Sequence, residues 1–156
     1  MHLGIDIDGV LSKRSPIQGS YVKARIFLAL VRILPGNVGN YWFLHRTEVR
    51  DDIEVARQLS QTYAVTVITA RPQTYRHVTE QWLSEQARLS FRQLSCVGLA
   101  KGVPQRKYQH AQEAGVDLVI DDTDDIVKYL QDHGMAAHLF TSWKEARSFV
   151  EARDNS

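Results

Sequence analysis

The chain reads as an α/β protein built on a doubly wound, five-stranded parallel sheet, with a small helical insertion after the first strand. Three observations predict this. Short apolar runs rich in Val, Ile and Thr alternate with amphipathic stretches of helical length, the pattern of repeated β-α-β units. Three of these runs close on acidic or hydroxyl groups, in Ile5-Asp6-Ile7-Asp8-Gly9, Val67-Ile68-Thr69 and Val119-Ile120-Asp121-Asp122. Strand ends in a parallel sheet share one rim, and ligands bind along that rim. Finally, one stretch breaks the alternation. The expected division is therefore a core of residues 1–11 and 47–156 and an inserted cap of residues 12–46.

Taken in order, residues 2–7 read as the first strand and residues 12–19 as a loop punctuated by Pro16 and Gly19. A helix is expected over 20–34, stopped by Pro35-Gly36, with apolar residues around most of its circumference. A short helix over 37–45 carries Tyr41, Trp42 and Phe43. Thr47 can cap a helix running to about Ser60, with Val49, Ile53, Ala56 and Leu59 on one face. Strands follow at 64–69, 94–99, 117–120 and 135–140. Helices follow at 72–89, 104–114, 123–133 and 142–152. Pro72 sits near a helix start, where its missing N–H costs little, and Gly115 and Gly134 stand where helices stop.

The composition bounds the function. The 156 residues suffice for one domain with a proper core. They are 44% hydrophobic and 24% charged, with a net charge of +1, so no stable complex with nucleic acid is expected from bulk charge. Cys96 is the sole cysteine, which excludes an intrachain disulfide and argues against a thiolate zinc site. No apolar run is long enough to span a bilayer. The N-terminus runs straight into Leu3-Gly4-Ile5-Asp6 without a leader pattern, so the expected compartment is the cytoplasm. The charge is uneven: Lys13, Arg14, Lys23, Arg25, Arg32 and Arg46 stand in a stretch with no acid, leaving 13 basic against 18 acidic residues elsewhere. A basic segment over an acidic body suits an anionic ligand, and the apolar helix within it offers a surface for homodimerisation.

The candidate chemistry sits at the strand ends. Asp6 and Asp8 are close enough to repel, and a hard divalent cation such as Mg²⁺ removes that conflict. One carboxylate can then attack an electrophile while the other moves protons. Thr69 and the backbone amides after it, with Arg71 beside them, offer a phosphate cradle. Lys107, 14 residues before Asp121, can place an ammonium between carboxylates and phosphate, with Lys101 and Arg106 as nearby competitors. Asp121 and Asp122 point to opposite sides, so one can face a metal and the other support it. Asp125 has a lesser claim to the same shell, because acids at a helix start are favoured by the macrodipole alone.

Together these pieces resemble the haloacid dehalogenase (HAD) superfamily of phosphohydrolases, along nearly the whole chain. Asp6-Ile7-Asp8-Gly9-Val10-Leu11 is similar to the first motif, with Val10 where many members have Thr. Thr69 resembles the second motif, Lys107 the third and Asp121-Asp122 the fourth. The resemblance implies a Rossmann-like core and a Mg²⁺-dependent phosphomonoester hydrolase. In it Asp6 is the nucleophile that forms an aspartyl-phosphate, and Asp8 is the acid and then the base. Mg²⁺ is held by Asp6, the Asp8 carbonyl and Asp122, with Asp121 assisting. The phosphoryl group is held by Thr69, Ala70, Arg71 and Lys107. Thr69-Ala70-Arg71-Pro72 and the compact insert look most similar to the deoxyribonucleotidase-like branch, which implies a small phosphorylated substrate such as a 5′-nucleotide, with Tyr41, Trp42 or Phe43 placed to stack on a base. Alternatives are a phosphatase for a sugar phosphate or a polynucleotide end, and a non-catalytic receiver-like phosphate-sensing domain. A receiver has adjacent acids after its first strand and its Lys after the last. Here Asp6 and Asp8 are separated and Lys107 precedes the acidic pair, leaving only Lys144 in that reading's favour.

Overall fold

The structure is a computed structural model that describes residues 1–14, 40–41, 44–45 and 47–155. Five strands, β1 (His2–Ile5), β2 (Ala64–Thr69), β3 (Gln93–Cys96), β4 (Leu118–Asp121) and β5 (Ala136–Leu139), form one sheet in the order β3-β2-β1-β4-β5. Every pairing is parallel. The helices are α1 (Glu54–Thr62), α2 (Arg76–Trp82), α3 (Val103–Glu113), α4 (Asp124–Asp132) and α5 (Trp143–Asp154). The expected fold class is the observed one.

Period-two alternation sorts the strands' side chains into two layers. Leu3, Ile5, Val65, Val67, Leu118 and Ile120 face a cluster with Leu59 of α1, Trp82 of α2 and Trp143 of α5. Ile68, Val119 and Ala137 face the opposite cluster, with Val103 and Ala111 of α3 and Ile126 and Leu130 of α4. The chain runs outward from β1 through β2 and β3, then returns to the other side of β1 at β4. The switch point thus lies between β1 and β4, where the strand order reverses and a crevice opens at the carboxyl ends. Ile5 pairs with Ile120 there, and the Asp6 amide donates to the Ile120 carbonyl at 3.0 Å.

Three elements depart from the sequence reading. The helix expected from Thr47 begins only at Glu54, with Ile53 at its N-cap and no side-chain cap. Residues 48–50 are used otherwise: Ser12 bridges Val49 in antiparallel sense, the Lys13 amide donates to Glu48 and the Arg50 amide to Leu11. Backbone groups of residues 11–13 and 48–50 pair with each other before any helix can start. Ser12 is itself fully buried. The helix expected over 72–89 is an assembly of a 3₁₀ turn (Gln73–Tyr75), α2 and a π turn (Leu83–Ala87), ended by Arg88 in the left-handed region at φ 50°. The third strand stops at Cys96, because the chain then turns into a loop whose carbonyls Arg106 gathers: its guanidinium donates to Val97, Gly98, Ala100 and Lys101.

Residues 40, 41, 44 and 45 are helical, and Tyr41 is exposed with its ring 5.0 Å from that of His45. The helix expected over 20–34, with Trp42, Phe43 and the cap-mediated dimer, lies outside the described residues. Among the described residues no helix is long and apolar enough to cross a membrane.

Trp143 ties α5 to the loop after β1: it is fully buried, packs edge-on against Phe140, and its indole N–H donates to the Val10 carbonyl at 3.0 Å. Trp143→Ala should cost about 3–5 kcal/mol of stability in urea denaturation. A cost below about 1 kcal/mol would show that α5 does not anchor the loop after β1.

Candidate functional site

The strand order brings together acids that lie more than a hundred residues apart. Asp6 follows β1, Asp121 ends β4, and Asp122 is next to it. A carboxylate oxygen from each of the three lies within 4.8 Å of those of the other two. Gly9 makes this approach possible. Its φ is +94°, which favours glycine, and a Cβ there would lie 2.0 Å from Asp122 Oδ2.

Lys107 comes from α3, where Val103, Lys107 and Ala111 form a buried stripe with spacing of four. Its aliphatic stem covers the sheet and its ammonium emerges at the rim, as amphipathic side chains do. The ammonium sits 2.9 Å from Asp6 Oδ1 and 2.6 Å from Asp121 Oδ2. Burial works against the Lys107 charge, but Asp121 and Asp6 outweigh it and hold the pKa above the ordinary lysine value. Lys101 is exposed and Arg106 holds the loop, so neither competitor occupies this position. Asp121 is completely buried, and its other oxygen accepts from the Thr123 amide at 3.0 Å.

Asp6 is 6% exposed. Burial is the main force on it; Lys107 opposes that force, and Asp121 and Asp8 add to it, so its pKa is raised to about 8. Asp6 Oδ1 has the ion pair with Lys107 but no hydrogen bond of its own. Asp8 has the opposite fate. Burial pushes its pKa up too, but the Arg71 charge and hydrogen bonds, helped by Lys107 and Ser12, hold it below the ordinary carboxylate value. The Arg71 fork is bidentate, Nε to Oδ2 at 3.0 Å and Nη2 to Oδ1 at 2.9 Å.

Thr69 is fully buried at the end of β2, and its hydroxyl accepts from the Arg71 amide at 3.3 Å. The amides after Thr69 belong to an extended stretch rather than to a helix N-terminus. Pro72 keeps Arg71 out of helical conformation, and the first turn starts only at Gln73. Asp125 is exposed at the start of α4, on the outside of the cluster. Asp122 accepts from Arg14, Nε to Oδ2 at 2.8 Å, and its carbonyl accepts from Arg14 Nη2 at 3.1 Å.

The sequence reading did not single out the Arg14 and Gly9 contacts with Asp122, the pairing of Arg71 with Asp8, or the Ser12 hydroxyl beside Asp8. Arg14 was visible only as part of the basic segment. Gly9 was visible only as part of the Asp6–Leu11 motif.

The donor set suits a hard divalent cation: three carboxylates converge, each with an oxygen within 4.8 Å of the other two. Each carboxylate already has partners: Asp121 serves Lys107 and the Thr123 amide, Asp6 serves Lys107, and Asp122 serves Arg14 and the Thr123 hydroxyl.

No family profile matches this sequence, and no curated protein matches it. Solved structures do. A hydrolase from Streptococcus pneumoniae TIGR4 is 16% identical with a TM-score of 0.60, over 96% of this chain and 97% of that one. A HAD family enzyme from Bacteroides thetaiotaomicron is 16% identical with a TM-score of 0.58, over 90% and 93%. A HAD-superfamily hydrolase of subfamily IA from Geobacter sulfurreducens is 13% identical with a TM-score of 0.55, over 87% and 84%. At these identities the likeness establishes the α/β fold that these three structures share.

Two measurements test the site as a cation site. Gly9→Ala pushes Asp122 aside, and it should weaken Mg²⁺ binding by about 10-fold or more in calorimetry. An unchanged affinity would remove Asp122 from the ligand set. Asp6 keeps in the folded protein a proton that the unfolded chain has lost above its ordinary value of 3.8. Its contribution to the stability of the metal-free protein is therefore full below that value and declines as pH rises towards about 8. Mg²⁺ must displace the same proton, so affinity should rise with pH over this window, with proton release visible in buffers of different ionisation enthalpy. A flat profile would mean that Asp6 is already ionised without metal.

Proposed function

We propose that this protein is a Mg²⁺-dependent phosphomonoester hydrolase of the HAD type, acting through an aspartyl-phosphate on Asp6. The observation that carries this reading is the buried Asp6–Lys107–Asp121 ion cluster at the sheet's switch point, with Asp122 alongside. A structural ion cluster has no need of a rim position, a third converging carboxylate or a glycine that admits it. A phosphoryl-transfer site needs all three, because its work is positioning and neutralisation of charge.

A carboxylate oxygen of Asp6 attacks phosphorus in line, and the bond to the ester oxygen breaks. That oxygen leaves with a proton delivered by Asp8, which Arg71 holds ionised in the resting site and which must therefore take up that proton first. Water then attacks the aspartyl-phosphate, losing its proton to Asp8, and inorganic phosphate departs. Lys107 fixes the orientation of Asp6 and offsets the charge of the phosphoryl oxygens. Thr69 offers its hydroxyl, and Ala70 its amide, on the phosphate side. Asp6 and Asp122, with the Asp8 carbonyl and with Asp121 assisting, would hold Mg²⁺, which when bound supplies positive charge against the phosphoryl oxygens. The protonation state of Asp6 fits this assignment: burial without a divalent cation raises it, and an added cation favours the nucleophilic carboxylate.

The substrate is a small anionic phosphate ester. The basic residues of the inserted segment suit a doubly charged headgroup, and the exposed ring of Tyr41 suits a nucleobase, which makes a nucleoside monophosphate the first choice. Supporting the hydrolase class are the folds of the HAD enzymes above.

Purified protein should hydrolyse p-nitrophenyl phosphate with Mg²⁺ and stop on chelation. Asp6→Asn should abolish turnover. Thr69→Ala should lower kcat by roughly 10²–10³-fold. A panel of phosphorylated metabolites, with nucleoside monophosphates included, identifies the substrate. Full turnover by Asp6→Asn would sink the mechanism.

A further inference from the structure

Arg71 lies where a phosphate ligand is expected, two residues after Thr69 at the same rim, yet its side chain is turned to another task. Its guanidinium grips both oxygens of Asp8 at 2.9 and 3.0 Å. The side chain is only 2% exposed, while that of Asp8 is 30% exposed. Its guanidinium carbon stands 5.5 Å from the centroid of the Trp82 ring, a cation–π distance. Trp82 is itself fully buried and tied down, donating from its indole N–H to the Thr47 carbonyl at 2.9 Å. The Arg71 backbone is held on both sides, with its amide on the Thr69 hydroxyl and its carbonyl accepting from the Gly98 amide at 3.2 Å. A guanidinium fixed at this many points cannot swing to a substrate without breaking a buried bidentate pair. Such a fork fixes the plane of a carboxylate, which a single lysine ammonium does not.

We propose that Arg71 is a positioning residue for Asp8 and not an anchor for the substrate's phosphoryl group. By engaging both carboxylate oxygens, Arg71 sets the direction in which Asp8 meets the leaving oxygen. Trp82 sets the position of Arg71. This rests on the phosphohydrolase reading, in which Asp8 serves the leaving group, and it assigns Arg71 a role that the phosphate cradle does not contain.

The two roles differ in what they make the rate depend on. A positioning residue for the proton donor matters when the leaving oxygen needs a proton and matters little when it does not. A phosphate anchor matters equally for both. The experiment uses the full chain with Mg²⁺ and two substrates, glycerol 2-phosphate and 2,4-dinitrophenyl phosphate, and reads kcat/KM, which reports steps up to departure of the leaving group. Arg71→Ala should lose roughly 10²-fold or more on the alkyl ester and less than about fivefold on the dinitrophenyl ester. The inhibition constant of inorganic phosphate should stay within about threefold of wild type, since no phosphate contact is lost. Asp8→Asn should show the same leaving-group pattern, and the double variant should be no worse than Asp8→Asn alone. Guanidinium ion added to Arg71→Ala should restore part of the alkyl-ester rate.

Equal losses on both substrates, a phosphate constant raised tenfold or more, or additive losses in the double variant would overturn the proposal and make Arg71 an anchor. Should Arg71→Ala fail to fold, Arg71→Lys carries the same test: it keeps a charge but not the fork, and the same split between substrates is expected. Wild-type protein inactive on both esters is a different result. It would remove the phosphohydrolase reading, and this inference with it.

Discussion

The Lys107 ammonium between Asp6 and Asp121 is the interaction on which the rest of the site depends. Ions removed from water are costly unless they are paired and hydrogen-bonded. Here one buried cation meets two buried carboxylates at 2.9 and 2.6 Å, and it joins the ends of β1 and β4 to α3. The sheet order makes this possible, because β1 and β4 are neighbours only through the return of the chain past β2 and β3. Removing Lys107 would leave two unpaired buried acids. Replacing the whole set with apolar residues would be the simpler way to stabilise a sheet rim. That this rim keeps its charges is the physical argument that they serve chemistry.

The charge balance at the rim sharpens the argument. Asp6, Asp8, Asp121 and Asp122 face Lys107, Arg71 and Arg14. Two of those cations are buried and committed, but the Arg14 side chain is 65% exposed, and exposed ion pairs contribute little. Without Arg14 the cluster is two positive charges short. The raised pKa of Asp6 comes first from burial, and the neighbouring charges of Asp121 and Asp8 add to it against the pull of Lys107. A divalent ion removes the need for both Arg14 and a proton on Asp6.

Much of this was legible in the sequence because the relevant signals are local. Val-Ile-Thr runs mark strands, and Gly115 and Gly134 mark helix ends. Asp6, Thr69, Lys107 and Asp121 are conspicuous because each is a polar residue next to, or within, an apolar pattern. Lys107 is the clearest case, standing between Val103 and Ala111 where the stripe calls for an apolar side chain. What was not legible depended on the tertiary partner. Thr47 looks like a helix cap until Ser12 and Lys13 come back to pair with residues 48 and 49. Arg71 reads as an anion ligand from its place after Thr69, and nothing local records that Asp8, 63 residues away, accepts from its Nε and Nη2. Gly9 looks like any turn glycine until Asp122 packs against the space that its missing Cβ leaves.

Residues 14 and 47 both connect to the site, and the two routes differ in kind. On the outgoing side Arg14 contacts Asp122 across exposed surface. On the returning side the Thr47 carbonyl holds the buried Trp82 indole, Trp82 lies against the buried Arg71 side chain, and Arg71 grips the half-buried Asp8 with a bidentate fork. A buried chain of contacts yields only with a large loss of packing, whereas an exposed ion pair exchanges readily with water and salt. The Asp8 side of the site is therefore rigid and the Asp122 side adjustable. That asymmetry matches the two demands on such a centre. In the proposed mechanism the group that hands over a proton must be in place before substrate arrives, and the group that would meet a cation must be able to exchange one positive partner for another.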